Sequence, residues 1–234
     1  MSLDYKRLCT LSLVLSLGLS VIEGAVAASD IPVPRRNIPA FKKETACDWY
    51  QETRRTNTWF ERDQVPRMKL MELYAKAKKD GVSVDSESLK SVWQEINLVD
   101  AELQGELDDL VARCGWPSET AFGIRAVEAA HFIVLHSPLD YQMDYIGVIS
   151  EAERAGEFKT RHLAFLVDKM LVRQGKSQRY GTQLRGVNSL GDFEPFPIED
   201  ESRVDELRAA AGVIPASLCA YLSMMNAKLD RCVR

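Results

Sequence analysis

The sequence predicts a mainly α-helical, single-domain bundle with one irregular polar loop and a small β-hairpin in its C-terminal half. Three observations predict it. Apolar residues recur at three- and four-residue steps through most of the chain beyond residue 45. Gly and Pro punctuate these runs at helix-like intervals. One stretch, residues 174–184, breaks the pattern with Gln178, Arg179, Tyr180, Thr182 and Gln183 between Gly175 and Gly181. A composition of 46% hydrophobic and 27% charged residues in 234 is ordinary for a globular protein.

The first 27 residues read as a signal peptide. Lys6 and Arg7 precede an apolar run from Leu8 to Ile22, and Ala25-Val26-Ala27 has the small-x-small pattern of a cleavage site after Ala27. Such a leader sends a chain to the periplasm or out of the cell. The run is about 15 residues, short of the roughly 20 that span a bilayer, and no later segment is long and apolar enough. The mature chain is therefore expected to lack a transmembrane segment; the competing reading is an uncleaved N-terminal anchor. Losing Lys6, Arg7, Asp4 and Glu23 leaves the net charge at −4. That balance argues against broad nucleic-acid binding, which needs a basic surface.

Residues 28–44, with Pro32, Pro34 and Pro39, read as an extended linker, and 45–234 as the helical domain. Thr45 is a candidate cap for a first helix carrying Trp49, Tyr50, Trp59 and Phe60. Pro66 is expected to open a second, burying Met68, Met71, Leu73 and Tyr74 and ending at Gly81. Asp85-Ser86 opens a long helix whose Leu89, Val92, Trp93, Ile96, Val99, Leu103, Leu107, Leu110 and Val111 keep helical spacing. Gly115-Trp116-Pro117 breaks it after Cys114. The next stripe is Ile124, Val127, Ala130, Val134 and Leu135. At His136-Ser137-Pro138, Ser137 is the expected N-cap of a further helix, with Pro138 first and Asp140 third. That helix stops before Gly156. Leu163, Leu166, Val167, Met170 and Leu171 mark the helix feeding the polar loop. Residues 180–184 and 192–196 can pair as a hairpin. Ser202 starts a helix that Gly212 ends, and 215–229 is the last.

Cys47, Cys114, Cys219 and Cys232 survive cleavage. An even number in an exported chain points to two disulfides, with three connectivities open. Cys47–Cys114 with Cys219–Cys232 is preferred: the first two lie near helix ends, and the second pair would staple the tail to the last helix. Zinc is the rival, but no Cys-x-x-Cys spacing is present.

Among ionisable groups His136 stands out, at a helix end beside a Pro-started helix. It can serve as base, acid or ligand, or simply bond free carbonyls at the helix terminus. Asp168, inside an apolar helix, either orients such a group or forms a salt bridge, with Arg179 or Arg208 in reach. Asp140 reads as a capping residue. The amides and hydroxyls of the loop suit a polar ligand such as a sugar, peptide or carboxylate, or else satisfy their own backbone. There is no Gly-x-Ser-x-Gly elbow, His-Glu-x-x-His or phosphate-cradling loop. His131 and His162 are expected at the surface or in the core. A metal site drawn from His136, Asp140 and Asp168 is weak, and no metal or cofactor is implied.

Several motifs occur in fixed order: Gly115-Trp116-Pro117; His136-Ser137-Pro138-Leu139-Asp140-Tyr141-Gln142; Asp168-Lys169; and Gly175-Lys176-Ser177-Gln178-Arg179-Tyr180-Gly181-Thr182-Gln183. Pro197-Ile198-Glu199-Asp200, Val204-Asp205 and Arg208 follow. Over residues 98–222 the chain resembles an uncharacterised bacterial family, a domain of unknown function often found with export signals. The family usually has Ala after the histidine, Asp-Arg at 168–169 and Arg-Arg at 207–208. Lys169 keeps the charge of that arginine and loses its planar fork. The resemblance supplies no reaction. It implies that His136, Gln142, Asp168, Gln178, Tyr180, Gly181, Thr182 and Gln183 form one polar centre.

The expected function is that of an exported cell-envelope domain binding a small polar ligand or a protein. Gln142, Gln178, Tyr180, Gly181, Thr182 and Gln183 would form the site, with His136 and Asp168 orienting them. A second expectation is a hydrolase or lyase on an envelope polymer or peptide. There His136 would be general base, Asp168 its orienter, and Thr182 or a water the nucleophile. A third is a scaffold or a protein inhibitor. Whether any reaction is run stays open at this level.

Overall fold

The structure, a computed structural model, describes residues 26, 31–39, 47–187, 192–225 and 227–232. The proposed signal peptide and Thr45 lie outside the described residues, apart from Val26. The architecture is mainly helical with one two-stranded antiparallel hairpin. Helix α1 spans Trp49–Thr56, α2 Trp59–Asp80 and α3 Ser86–Cys114. The short α4 is Glu119–Phe122, followed by α5 Ile124–His136, α6 Leu139–Arg154 and α7 Thr160–Arg173. Strands β1 (Leu184–Gly186) and β2 (Phe193–Pro195) pair with Arg185 opposite Glu194. Helices α8 (Val204–Ala210) and α9 (Leu218–Met224) close the chain with a 3-10 turn at Asp230–Cys232.

Local chemistry explains most boundaries. Asp48 and Asp85 cap α1 and α3, accepting from the backbone N–H of Gln51 and Ser88. The first helix is not continuous through Phe60, because the chain breaks at Asn57-Thr58 and α2 begins at Trp59. Pro66 does not start α2 but lies buried within it. Its fixed φ suits the helix, and the ring removes one N–H without ending the run. Ser137 does not cap α6. Its hydroxyl donates back to the Ile133 carbonyl, so α6 starts at Leu139. The last helix is shorter than 215–229: it starts at Leu218 with Ser217 as cap, because Arg208 draws off the carbonyls of Pro215 and Ala216.

The main core joins α3, α5, α6 and α7, with Leu103, Leu107, Leu110, Val134, Ile146, Ile149, Leu163, Leu166 and Met170 wholly buried. Trp59 brings α2 into this core, and its indole N–H donates to Glu106 at 2.7 Å. Beyond it α2 packs on both α3 and α5, while Met68, Met71 and Trp93, expected inside, are exposed. A helix at the edge of a bundle buries one face and leaves the other to solvent. A second small cluster holds Val204, Leu218, Tyr221 and Leu222.

Two disulfides tie the ends down. Cys47–Cys114 joins the start of α1 to the end of α3, with Cα atoms 5.1 Å apart, and Cys219–Cys232 clips the tail to α9. Closing loops of 67 and 13 residues restricts the unfolded chain by about 4 and about 3 kcal/mol in chain-entropy terms. Residues 31–39 lie across α6 as a strap. Arg35 N–H donates to Met143 O at 2.9 Å, Arg35 and Arg36 flank Asp144, and Pro34 sits where a Cβ on Gly147 would lie 2.8 Å from its ring. Among the described residues, no helix is long and apolar enough to cross a membrane.

Candidate functional site

The polar residues singled out by sequence fall into two separate groups. The first is built on Asp168. It sits on the buried side of α7 with no exposed surface, and its two oxygens receive four donors from one loop. These are the backbone N–H groups of Arg179 (2.8 Å), Tyr180 (3.1 Å) and Thr182 (3.0 Å), and the Thr182 hydroxyl (2.9 Å). Burial pushes the Asp168 carboxyl up, and the bonds from Thr182, Tyr180 and Arg179 pull it back.

Gln178 fastens the same loop from its other end. Its amide N–H groups donate to Gln183 O and Phe196 O, and its Oε1 accepts from the Gln183 N–H at 2.8 Å. Gln183 bonds Thr182 Oγ1 at 3.0 Å. Arg208, also wholly buried, donates to Tyr180 O and Pro215 O, both at 2.7 Å, and stacks over Tyr221. Tyr221 in turn donates to Thr182 O. Gly181 has φ +62°, the left-handed region that glycine adopts without strain, and a Cβ there would lie 2.7 Å from the Leu218 Cδ1 methyl. The Tyr180 hydroxyl makes no hydrogen bond among the described residues, and burial pushes it up to about 12.

The second group lies where α2, α5 and α7 meet. His136, at the C-terminal end of α5, points Nδ1 at Asp63 Oδ1, 2.8 Å away. Asp168 is not its partner. Asp63 is wholly buried and also binds Arg67 (3.1 Å) and the Gln64 amide (2.6 Å). Arg67 continues to both oxygens of Asp100, at 2.8 and 2.9 Å. Phe132 stacks on the imidazole, and Phe60 meets Phe132 edge-on. Since a carboxylate can only accept, Nδ1 carries a proton towards Asp63. Arg173 donates to the Ser137 carbonyl beside this pair. Burial lowers the Lys169 ammonium, and Arg173 and Arg67 lower it further. Gln142 is buried at the start of α6, donates to Leu135 O, and leaves Oε1 without a partner.

Sequence reasoning missed Asp63, Arg67 and Gln64, because nothing local ties α2 to α5. It did place His131 and His162 in helices. They stack at 5.2 Å, and each has a buried Nδ1 without a partner. Burial pushes His131 well below its usual range, and takes His162 down to about 4 with help from Arg161 and Lys159. Among the described residues no group of three or more His, Cys, Asp or Glu side chains is placed to hold a metal. Asp140 is in the first turn of α6, where an acidic side chain suits the helix N-terminus.

A cleft of about 650 Å³ opens on the outer side of the loop. Ile31, Pro32 and Leu171 form its apolar wall, and Gln174, Lys176 and Ser177 line it with polar groups. Arg179, paired with Glu199 at 2.8 Å, closes one side. The loop therefore has an inner face consumed by its own bonds and an outer face on open space.

This is a helical, disulfide-tied domain with a bolted polar loop. The chain belongs to a family of unknown function, DUF6624, whose match covers residues 81–230. Helices α1 and α2, with Asp63 and Arg67, precede the matched region. No curated protein and no solved structure matches the chain.

Proposed function

We propose that this chain is an exported domain of the bacterial cell envelope that binds a small polar ligand in the cleft beside residues 174–179. One observation carries the reading: the cleft of about 650 Å³ lies against a loop immobilised from beneath by Asp168, Gln178 and Arg208. A fixed loop loses little entropy on binding, which is the general advantage of preorganisation. The lining combines an apolar wall with amide, hydroxyl and ammonium donors, a mixture that suits a sugar or short peptide. The two disulfides fit an oxidising compartment, as does the leader-like N-terminus. In this reading Gln174, Lys176 and Ser177 contact the ligand. Gln178, Tyr180, Gly181, Thr182 and Gln183 shape the loop that presents them.

The test is a thermal-shift screen of mono- and disaccharides and dipeptides against the whole protein. At least one class should raise Tm by several degrees at millimolar concentration. A Gln174→Ala, Lys176→Ala double variant should fold normally and lose that shift. A flat response across the panel, or a shift unchanged in the double variant, would reject the cleft as the site.

A further inference from the structure

A second cavity, of about 300 Å³, opens between α5 and α7 and shares no lining residue with the loop cleft. The two helices line it at the same one- and four-residue steps: His131, Phe132 and Leu135 from α5, and Arg161, His162 and Phe165 from α7. Ile214, from the connection between α8 and α9, stands at the rim and is 79% exposed. The walls are rich in rings. The imidazoles of His131 and His162 stack at 5.2 Å with 12° between their planes, and Phe132 lies 5.6 Å from His131. Burial keeps both imidazoles uncharged near neutral pH, so they offer flat faces rather than charge.

Folding leaves this corner incompletely bonded. His131 Nδ1 and His162 Nδ1 are buried without a partner, a state that native interiors seldom keep. Arg161 Nε donates to His162 Nε2 at 3.2 Å, while the rest of the guanidinium makes no hydrogen bond with any described residue. Glu128 Oε1 stands 3.9 Å from both Arg161 Nη2 and His162 Nε2, too far for a hydrogen bond to either. One hydroxyl oxygen placed between them closes such a gap, accepting from Nη2 and donating to Oε1. Arg161 and Glu128 already balance each other in charge, so the group that fits is neutral.

We propose that this cavity binds the phenolic ring of a small molecule, with the hydroxyl bridging Arg161 and Glu128 and the ring against Phe132, Phe165 and the imidazole stack. A phenol supplies both halves: a flat apolar face for an aromatic wall, and one O–H that donates and accepts. A carboxylate would bring a second negative charge beside Glu128. A bare hydrocarbon would leave the polar gap open, and a water would fill the gap but leave the apolar remainder wet.

The probe is p-cresol, titrated into the whole protein with ¹⁵N-labelled histidine while the imidazole resonances of the three histidines are followed. The expected result is a saturable shift of His131 and His162, with His136 unmoved. The methyl ether of p-cresol keeps the acceptor and loses the donor, and should bind at least about tenfold more weakly. Ile214→Asp changes an exposed rim position, should leave Tm unaltered, and should weaken p-cresol by at least about tenfold through a charge at the apolar mouth. Glu128→Ala should erase the preference for p-cresol over its ether. Absence of a saturable shift, or an equal shift in Ile214→Asp, overturns the proposal. An ether that binds wild type as tightly as p-cresol, or a preference that survives Glu128→Ala, overturns the hydroxyl bridge. Should Glu128→Ala fail to fold, Arg161→Gln provides the same comparison.

Discussion

Asp168 and Asp63 are both fully buried carboxylates, yet they are held in opposite ways. Asp168 takes its donors from the backbone and one hydroxyl of a single loop, within 14 residues of itself. Asp63 takes side chains: His136 from a helix 73 residues away, and Gln64 and Arg67 from its own. A carboxylate bound to backbone N–H groups fixes the shape of the chain and has nothing left to offer a ligand. One bound to an imidazole orients a group whose other nitrogen stays available. Neighbouring polar clusters in one fold can thus be structural and chemically open, and counting polar residues does not separate them; tracing each atom's partner does.

The sharpest way to break this comparison is Asp168→Ala. It would strand three buried backbone N–H groups and a hydroxyl, and should destabilise the protein by about 3–5 kcal/mol, seen as a large loss in denaturant midpoint. A loss below about 1 kcal/mol would mean that the loop has other support. Acid should act elsewhere. His162 is held near 4 in the folded state against an ordinary 6.5, and His131 is lowered too. Below about pH 6.5 the unfolded chain therefore takes up protons that the folded chain refuses. The contribution is whole above that pH and lost as pH falls towards 4, by about 2 kcal/mol for His162. Replacing His162 with Gln should flatten the decline in Tm over that window, while a decline as steep as wild type would move its cause to other groups. The smallest effect expected is that of Lys169→Met on stability: neutral or stabilising by up to about 1 kcal/mol, since a charge without a partner among the described residues leaves a half-buried position. A clear loss by chemical denaturation would place Lys169 with Asp168 among the structural residues.

Much of the helical frame was legible in the sequence, because capping and breaking residues act locally. Asp85, Gly81, Gly115 and Gly156 mark the ends they were read to mark. The cysteine pairing follows from helix ends as well. Pro66 misled because proline ordinarily marks a first helical turn, whereas here it sits inside α2, buried, and the helix continues despite the lost N–H. Met68, Met71 and Trp93 misled because periodicity reports that a stripe exists, not whether a third helix covers it. In the polar centre, the spacing of Asp168 and the 178–183 segment put them on consecutive elements, where they meet. His136 and Gln142 were grouped with them by resemblance, yet their contacts are to Asp63 and Leu135. No one-dimensional signal joins Asp63 to His136: the contact exists only because α2 folds back onto α5.

The Cys47–Cys114 bond has a consequence for anyone trimming this chain to the family's limits. A fragment starting at residue 81 would keep Cys114 and discard Cys47, along with both side chains that hold His136 in register. It would leave a lone thiol at the end of α3, open to cross-linking between copies in an oxidising medium.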